Sequence, residues 1–198
     1  EARTDEVITF FRRRKLPFLW CIGPSTIPED MAHILGVSGL TPGSVCTGMS
    51  VDLDRLESLS GGGAFIRPVE DDVSLAQWVR VFRVSFGLPQ DSEKDCMRIF
   101  RSGDFSFPWR HYLAYEGDEI AGISSVFFSG ESAGIYNVAT LPSFRGRGIG
   151  RLMTLVPLLY ARENGYRTGV LGATEMGFNI YRKLGFERHT VLTFYSAE

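Results

Sequence analysis

Cysteine and histidine are scarce in this chain. Cys21, Cys46 and Cys96 are an odd number at wide spacing, with no C-x-x-C pair, which argues against a disulfide framework and against a zinc site. His33, His111 and His189 are scattered, so a metal centre has no support and none is expected. Long apolar runs are missing too. The longest, Leu152 to Ala161, holds Thr154 and Pro157 and is too short to span a bilayer, so no membrane partner is expected. Neither sign of charge is in excess: the net charge is −2 over 198 residues, and no basic field argues for nucleic acid. The one basic block, Arg12-Arg13-Arg14-Lys15, closes an apolar-periodic segment (Val7, Ile8, Phe10, Phe11) and reads as the cationic end of a helix. No signal peptide opens the sequence, although its first residue is Glu1 rather than Met, and a reducing, cytoplasmic compartment is the default expectation.

What is present is ordinary for a soluble domain: 44% hydrophobic and 22% charged residues, enough to bury a sizeable core. The pattern predicts a helix from Asp5 to Leu16, a short buried strand from Phe18 to Ile22, a helix over Glu29 to Leu35 and a strand from Val45 to Leu53. Gly61-Gly62-Gly63 then reads as a linker, dividing a partial α/β segment (1–60) from a main domain (64–198). In the main domain Asp71 or Asp72 caps a helix carrying Leu75, Trp78, Val79 and Phe82. A second helix runs from Glu93 to Phe100. Arg110 to Tyr115 and Ile120 to Phe128 form a hairpin about Glu116-Gly117-Asp118. A strand ending at Leu141, a long helix to Glu163, a strand Gly169 to Gly172, a helix Glu175 to Leu184 and a strand Thr190 to Tyr195 complete the chain. The fold class is α/β (α+β) with a mixed, mostly antiparallel sheet flanked by helices. Residues 5–53 and 151–195 share one order of elements, and Ser38-Gly39-Leu40 falls where Leu184-Gly185-Phe186 falls later. The first copy has Leu35 at the place of Tyr181.

The chemistry is announced by Ile135 to Arg151. A β-prone run meets Pro142, three glycines alternate with arginines, and helical spacing begins at Leu152, Leu155, Val156 and Leu159. Glycines admit close approach of an anion, and a helix start offers unpaired N–H groups and a favourable dipole. A Walker loop would need lysine and Ser/Thr after its last glycine, where Arg151-Leu152 stand. A dinucleotide fingerprint would need different glycine spacing and a carboxylate about twenty positions on. Arg145-x-x-Gly148-x-Gly150, with Val138-Ala139-Thr140-Leu141-Pro142 before it and Tyr181-Arg182-Lys183-Leu184-Gly185-Phe186 after it, resembles the coenzyme A loop and flanking signatures of the GNAT superfamily of N-acetyltransferases. The resemblance covers about Phe65 to Phe194.

That resemblance implies an acetyl-CoA-dependent N-acetyltransferase, acting by direct attack of an amine of a small molecule or peptide on the thioester. It implies a sheet splayed between the cofactor strand and the next strand, with the acyl group in the gap. Val138, Ala139 and Thr140 would lend backbone to the pantetheine arm. Arg145, Gly146, Arg147, Gly148, Ile149, Gly150 and Arg151 would cradle the pyrophosphate, and the three arginines would be available for charge. Tyr181 stands where many members keep a general acid. Thr174 replaces an asparagine, so a cofactor contact there is expected to be rearranged. The general base is not fixed by the family. Glu175 is the first candidate, ahead of His111 and Glu116 on the hairpin or a water chain. Tyr136 and Asn137, on opposite faces of a strand, could orient substrate. Pro157 should kink the long helix. Two other readings stay open: a non-catalytic acyl-CoA-binding module, or transfer of a longer acyl chain. Residues 1–60 could cover the acceptor side, form a homodimer or pad the fold.

Overall fold

In the computed structural model, residues 2–57, 64–101, 105 and 107–197 are described. The triple glycine expected as a linker lies outside them. The elements in chain order are α1 (Ala2–Arg13), β1 (Trp20–Ile22), α2 (Met31–Val37), β2 (Thr41–Asp52), β3 (Ala64–Pro68), α3 (Asp72–Ser85), α4 (Glu93–Phe100), β4 (Trp109–Glu116), β5 (Glu119–Ser129), β6 (Ser132–Thr140), α5 (Ile149–Glu163), β7 (Thr168–Ala173), α6 (Glu175–Lys183) and β8 (Glu187–Ser196). The chain divides into two compact units, one of Ser50–Leu171 with Asn179–Glu187, the other of Glu1–Met49 with Gly172–Phe178 and Arg188–Glu198.

The larger unit carries the strand order β7-β6-β5-β4-β3. Strands β3 to β6 pair antiparallel, and β6 with β7 is parallel; α5 forms the crossover that a parallel pair requires. The mixed, mostly antiparallel sheet expected from sequence is therefore present. Asp71 caps α3 in a capping box with Ser74: the Ser74 N–H donates to Asp71 Oδ1 at 2.7 Å, and Ser74 Oγ accepts from the Asp71 N–H at 3.2 Å. Those bonds satisfy donors a helix start leaves unpaired and hold the Asp71 carboxyl below its ordinary pKa, chiefly through the Ser74 hydroxyl.

The helix lays Leu75, Trp78 and Val79, all at most 1% exposed, onto Leu113 and Ile123 of the sheet. Trp78 donates its indole N–H to the Ser124 carbonyl at 3.1 Å, so the largest core residue is buried without an orphaned donor. Each such side chain contributes about 1.5–3 kcal/mol of burial. The opposite sheet face meets α5, whose Ile149 lies against Gly122 and whose Leu155 and Leu158 are fully buried. Pro157 sits inside α5, which continues to Glu163.

In the smaller unit β8 lies between β1 and β2. Ile8, Met31, Ile34, Leu35 and Leu40 form its core with Phe18, Trp20, Ile22 and Tyr195 against them. Two expectations change here. The first strand is shorter than predicted and partly exposed, because Trp20–Ile22 pairs only with β8, Trp20 facing Tyr195 and Ile22 facing Thr193. Strand β2 is longer, beginning at Thr41 in spite of Pro42 and Gly43; pairing overrides their weak strand propensity.

Candidate active site

Strand β6 has two different edges. Toward β5 it is paired almost to its end, with Gly122 facing Thr140 and the Leu141 N–H donating to the Ala121 carbonyl at 2.9 Å. Toward β7 the ladder covers only Ser132↔Thr168 to Ile135↔Leu171. From Tyr136 to Thr140 that second edge has no strand partner among the described residues. A run of unpaired backbone donors and acceptors accepts an extended, amide-bearing chain as an added strand. Val138, Ala139 and Thr140 lie on it.

The edge loses its regularity at one place. Ile123 faces Ala139 and Ser125 faces Tyr136, so Asn137 and Val138 together stand opposite the single Ser124. Asn137 has φ +55°, the left-handed conformation that asparagine tolerates best after glycine. The bulge overturns the expectation that Tyr136 and Asn137 face opposite ways. The Tyr136 ring meets Trp109 edge-on at 5.2 Å, and Asn137 Nδ2 donates to Ser125 Oγ at 3.3 Å. Trp109 stacks beside His111, and Ser125 hydrogen-bonds to it, so both side chains turn to one face.

Past Thr140 a single 3-10 turn (Pro142–Phe144) leads into the loop. Gly146 and Gly148 take φ +79° and +80°, and a Cβ at either would meet nothing within 4 Å. Glycine is needed there for conformation, and the space beside it is open. Gly148 is also the N-cap of α5 and supplies no side-chain cap, so the first-turn N–H groups stay available to an anion. Gly150 differs: a Cβ would touch Ile180 at 3.7 Å and Thr140 at 3.8 Å, ordinary contacts that alanine would satisfy. Ile149 is buried at 1% exposure and anchors the turn.

The three arginines have partners of their own. Arg147 Nη1 donates to Glu116 Oε2 at 2.7 Å and its Nη2 to the Ser143 carbonyl at 3.1 Å. Arg151 reaches Glu57 at 3.4 Å, and Arg145 Nε donates to the Thr140 carbonyl at 3.3 Å. These are exposed pairs worth about 1 kcal/mol or less, which a bound phosphate can displace. Glu116 is thereby a loop tether.

Helix α6 ends in a Schellman turn. Gly185 has φ +90°, its N–H donates to the Arg182 carbonyl at 3.1 Å, and the Phe186 N–H donates to the Tyr181 carbonyl at 3.1 Å. Leu184 and Phe186 are buried at 9% and 3%. The Leu-Gly-Phe signature is thus the hardware that places Tyr181. The Tyr181 ring meets Phe186 edge-on at 6.0 Å. Burial raises its pKa above the usual tyrosine value, and the neighbouring Thr154 hydroxyl partly opposes the rise. Thr154 itself donates to the Gly150 carbonyl at 2.9 Å.

Glu175 lies exposed in the first turn of α6. Tyr181 follows six positions later, about 120° around the helix. Thr174 precedes the helix as its cap: its carbonyl accepts from the Gly177 and Phe178 N–H groups at 3.1 and 3.0 Å, and its Oγ1 accepts from Gly177 at 3.4 Å. His111 is fully buried. Its Nε2 faces the Phe100 carbonyl at 2.9 Å and its Nδ1 faces Ser125 Oγ at 2.7 Å. Burial pushes its pKa down to about 4 against the Phe100 bond, so it is neutral at pH 7 and both ring nitrogens are engaged. Among the described residues no cluster of metal-ligating side chains occurs, and no helix is long and apolar enough to cross a membrane.

An open strand edge thus runs into an uncapped helix start, beside the half-buried Tyr181. Residues 108–188 match the acetyltransferase (GNAT) domain family. The chain is 25% identical over 193 residues to a mycothiol acetyltransferase of Streptomyces griseus, covering 91% of this chain and 61% of the relative. The chain thus spans about three-fifths of that curated relative's length. Among solved structures, a GCN5-related N-acetyltransferase from Kribbella flavida shares the fold with a TM-score of 0.73 at 17% identity, over 96% of this chain and 72% of the other. A predicted acetyltransferase from Clostridium acetobutylicum, solved with acetyl-CoA, does so with a TM-score of 0.54 at 22% identity, over 63% of this chain and 90% of the other.

Proposed function

We propose that this protein transfers an acetyl group from acetyl-CoA to the primary amine of a small molecule. The observation that carries the reading is the continuity of the open β6 edge (136–140) with the uncapped start of α5 at Gly148. An extended amide arm fits the edge, and a pyrophosphate fits the N–H groups beyond it. The name of the Streptomyces relative supports a small-molecule acceptor, and the bound acetyl-CoA of the Clostridium protein supports the donor.

When bound, acetyl-CoA supplies an acyl group already activated as a thioester. The chain's own residues then have separate duties. Backbone of Val138, Ala139 and Thr140 holds the arm. The N–H groups from Arg145 to Arg151 hold the phosphates, with the arginine side chains exchanging Glu116 and Glu57 for them. Tyr181 keeps a proton at its hydroxyl at pH 7, as any phenol of pKa about 10 does, and burial shifts it further the same way, so it can meet a thiolate as an acid. Glu175 is assigned to accept the proton of the ammonium, on its place at the start of α6 alone.

The test is thiol release from acetyl-CoA across a panel of amines. Turnover with at least one amine, reduced in Tyr181→Phe and in Glu175→Gln while acetyl-CoA affinity is kept, is the expected result. Tight binding with no turnover on any amine, and no change in Tyr181→Phe, would leave an acyl-CoA-binding module instead.

A further inference from the structure

Four groups form a continuous polar relay through an otherwise aromatic layer. The Phe100 carbonyl only accepts, so His111 Nε2 carries the ring hydrogen and donates to it at 2.9 Å. Nδ1 is then an acceptor, and Ser125 Oγ donates to it at 2.7 Å. With its hydrogen committed, Ser125 Oγ accepts from Asn137 Nδ2 at 3.3 Å. Every bond therefore has one consistent direction, from the strand edge inward to the end of α4. His111 and Ser125 are both fully buried, under Trp78, Phe100 and Trp109, where an unmatched polar atom would cost about 1–3 kcal/mol. The relay ends on the residue that makes the bulge and holds φ +55°, two positions after the last β6–β7 pair, Ile135↔Leu171.

We infer that His111 and Ser125 act through Asn137 as positioning residues: they hold the bulge in its left-handed form and so aim the open edge of β6 at the thioester end of the donor. The inference rests on the acetyl-CoA reading. It separates two regions of one strand. Thr140 and the loop beyond govern how tightly the donor is held, and the bulge governs where its reactive end lies. Without the amide, Asn137→Ala strains the left-handed conformation and leaves Ser125 without a donor. Ser125→Ala leaves the Asn137 amide and His111 Nδ1 unmatched. Asn137→Gly permits the conformation but does not enforce it.

The experiment compares folded wild-type protein with Ser125→Ala, Asn137→Ala and Asn137→Gly. Acetyl-CoA affinity is measured by calorimetry, the carbonyl resonance of bound 13C-acetyl-CoA by NMR, and kcat with the best amine. The expected result is affinity within about threefold of wild type, with the bound carbonyl resonance moved toward its free value. The value of kcat should fall by about tenfold to a hundredfold in the two alanine variants, and Asn137→Gly should recover part of the loss. Variants that keep the wild-type resonance, or lose affinity in step with kcat, overturn the relay, as does equal loss in Asn137→Gly and Asn137→Ala. Wild type that binds acetyl-CoA without turnover overturns the transferase reading alone, since the resonance still reports the bulge. Wild type that fails to bind acetyl-CoA overturns both.

Discussion

The stretches α1 to β2 and α5 to β8 repeat one order, helix, strand, helix, strand. Their second helices even stop in the same way. Gly39 (φ +78°) and Gly185 (φ +90°) close left-handed turns, in which Leu40 donates to Leu35 at 2.9 Å and Phe186 to Tyr181 at 3.1 Å. The residue four before the glycine is Leu35 in one case, fully buried, and Tyr181 in the other. Only α5 is preceded by the glycine-rich loop. The scaffold of the two series is therefore alike, and the difference that bears on the proposed chemistry comes down to one loop and one side chain.

Four experiments can break or sharpen that comparison. The largest effect is expected from Gly148→Glu, which puts a side chain at φ +80° and negative charge at the helix start. Acetyl-CoA affinity should fall by more than about a hundredfold; unchanged affinity in a folded variant, read by calorimetry, would remove the cradle from Gly148.

The paired residues come next. Tyr181→Phe should lower kcat by about a hundredfold with little change in melting temperature. Leu35→Ala should cost about 2–5 kcal/mol of stability, read by denaturant unfolding, and leave kcat per folded molecule unaltered. Similar stability losses in both would mean that Tyr181 only packs.

A pH scan probes β4, which lies outside both series and serves as their common reference. His111, depressed to about 4 by burial, is neutral in the folded state, whereas an unfolded histidine takes up a proton near pH 6.5. The unfolded chain thus binds more protons between these values. Stability from this group is complete above about pH 6.5 and is lost as pH falls toward 4, on the order of 3 kcal/mol. His111→Gln should flatten that part of the profile; an unchanged slope would assign it to other groups. The smallest effects are Gly39→Ala and Gly185→Ala, each costing about 1 kcal/mol from its positive φ. A clear inequality between them would show that the two turns are not equivalent.

Much of this site could be read from sequence because its parts are local. Glycine spacing, the strand before it and Leu184-Gly185-Phe186 are each set within a few residues, and each turned out to be a loop, an edge or a helix stop at the expected place. The bulge could not be read. It exists because Asn137 and Val138 share one partner, Ser124, thirteen and more positions away, and period-two alternation has no sign for it. His111 looked like a candidate base on a hairpin. Its burial depends on α3 and α4 bringing Trp78 and Phe100 over it, a tertiary fact. The arginines looked free for phosphate, and the carboxylates that hold them, Glu116 and Glu57, lie far away in sequence.

The unpaired side of β6 also bears on solubility. A stretch of strand with one side left without a strand partner is a template on which a strand from another molecule could add, the first step of edge-to-edge aggregation. The left-handed Asn137 interrupts that template, since an intruding regular strand cannot keep register across a residue whose amide is rotated out of line. A soft, partly extended arm can bend around the same obstacle. The kink thus works as a filter, admitting a flexible ligand and refusing a neighbouring chain.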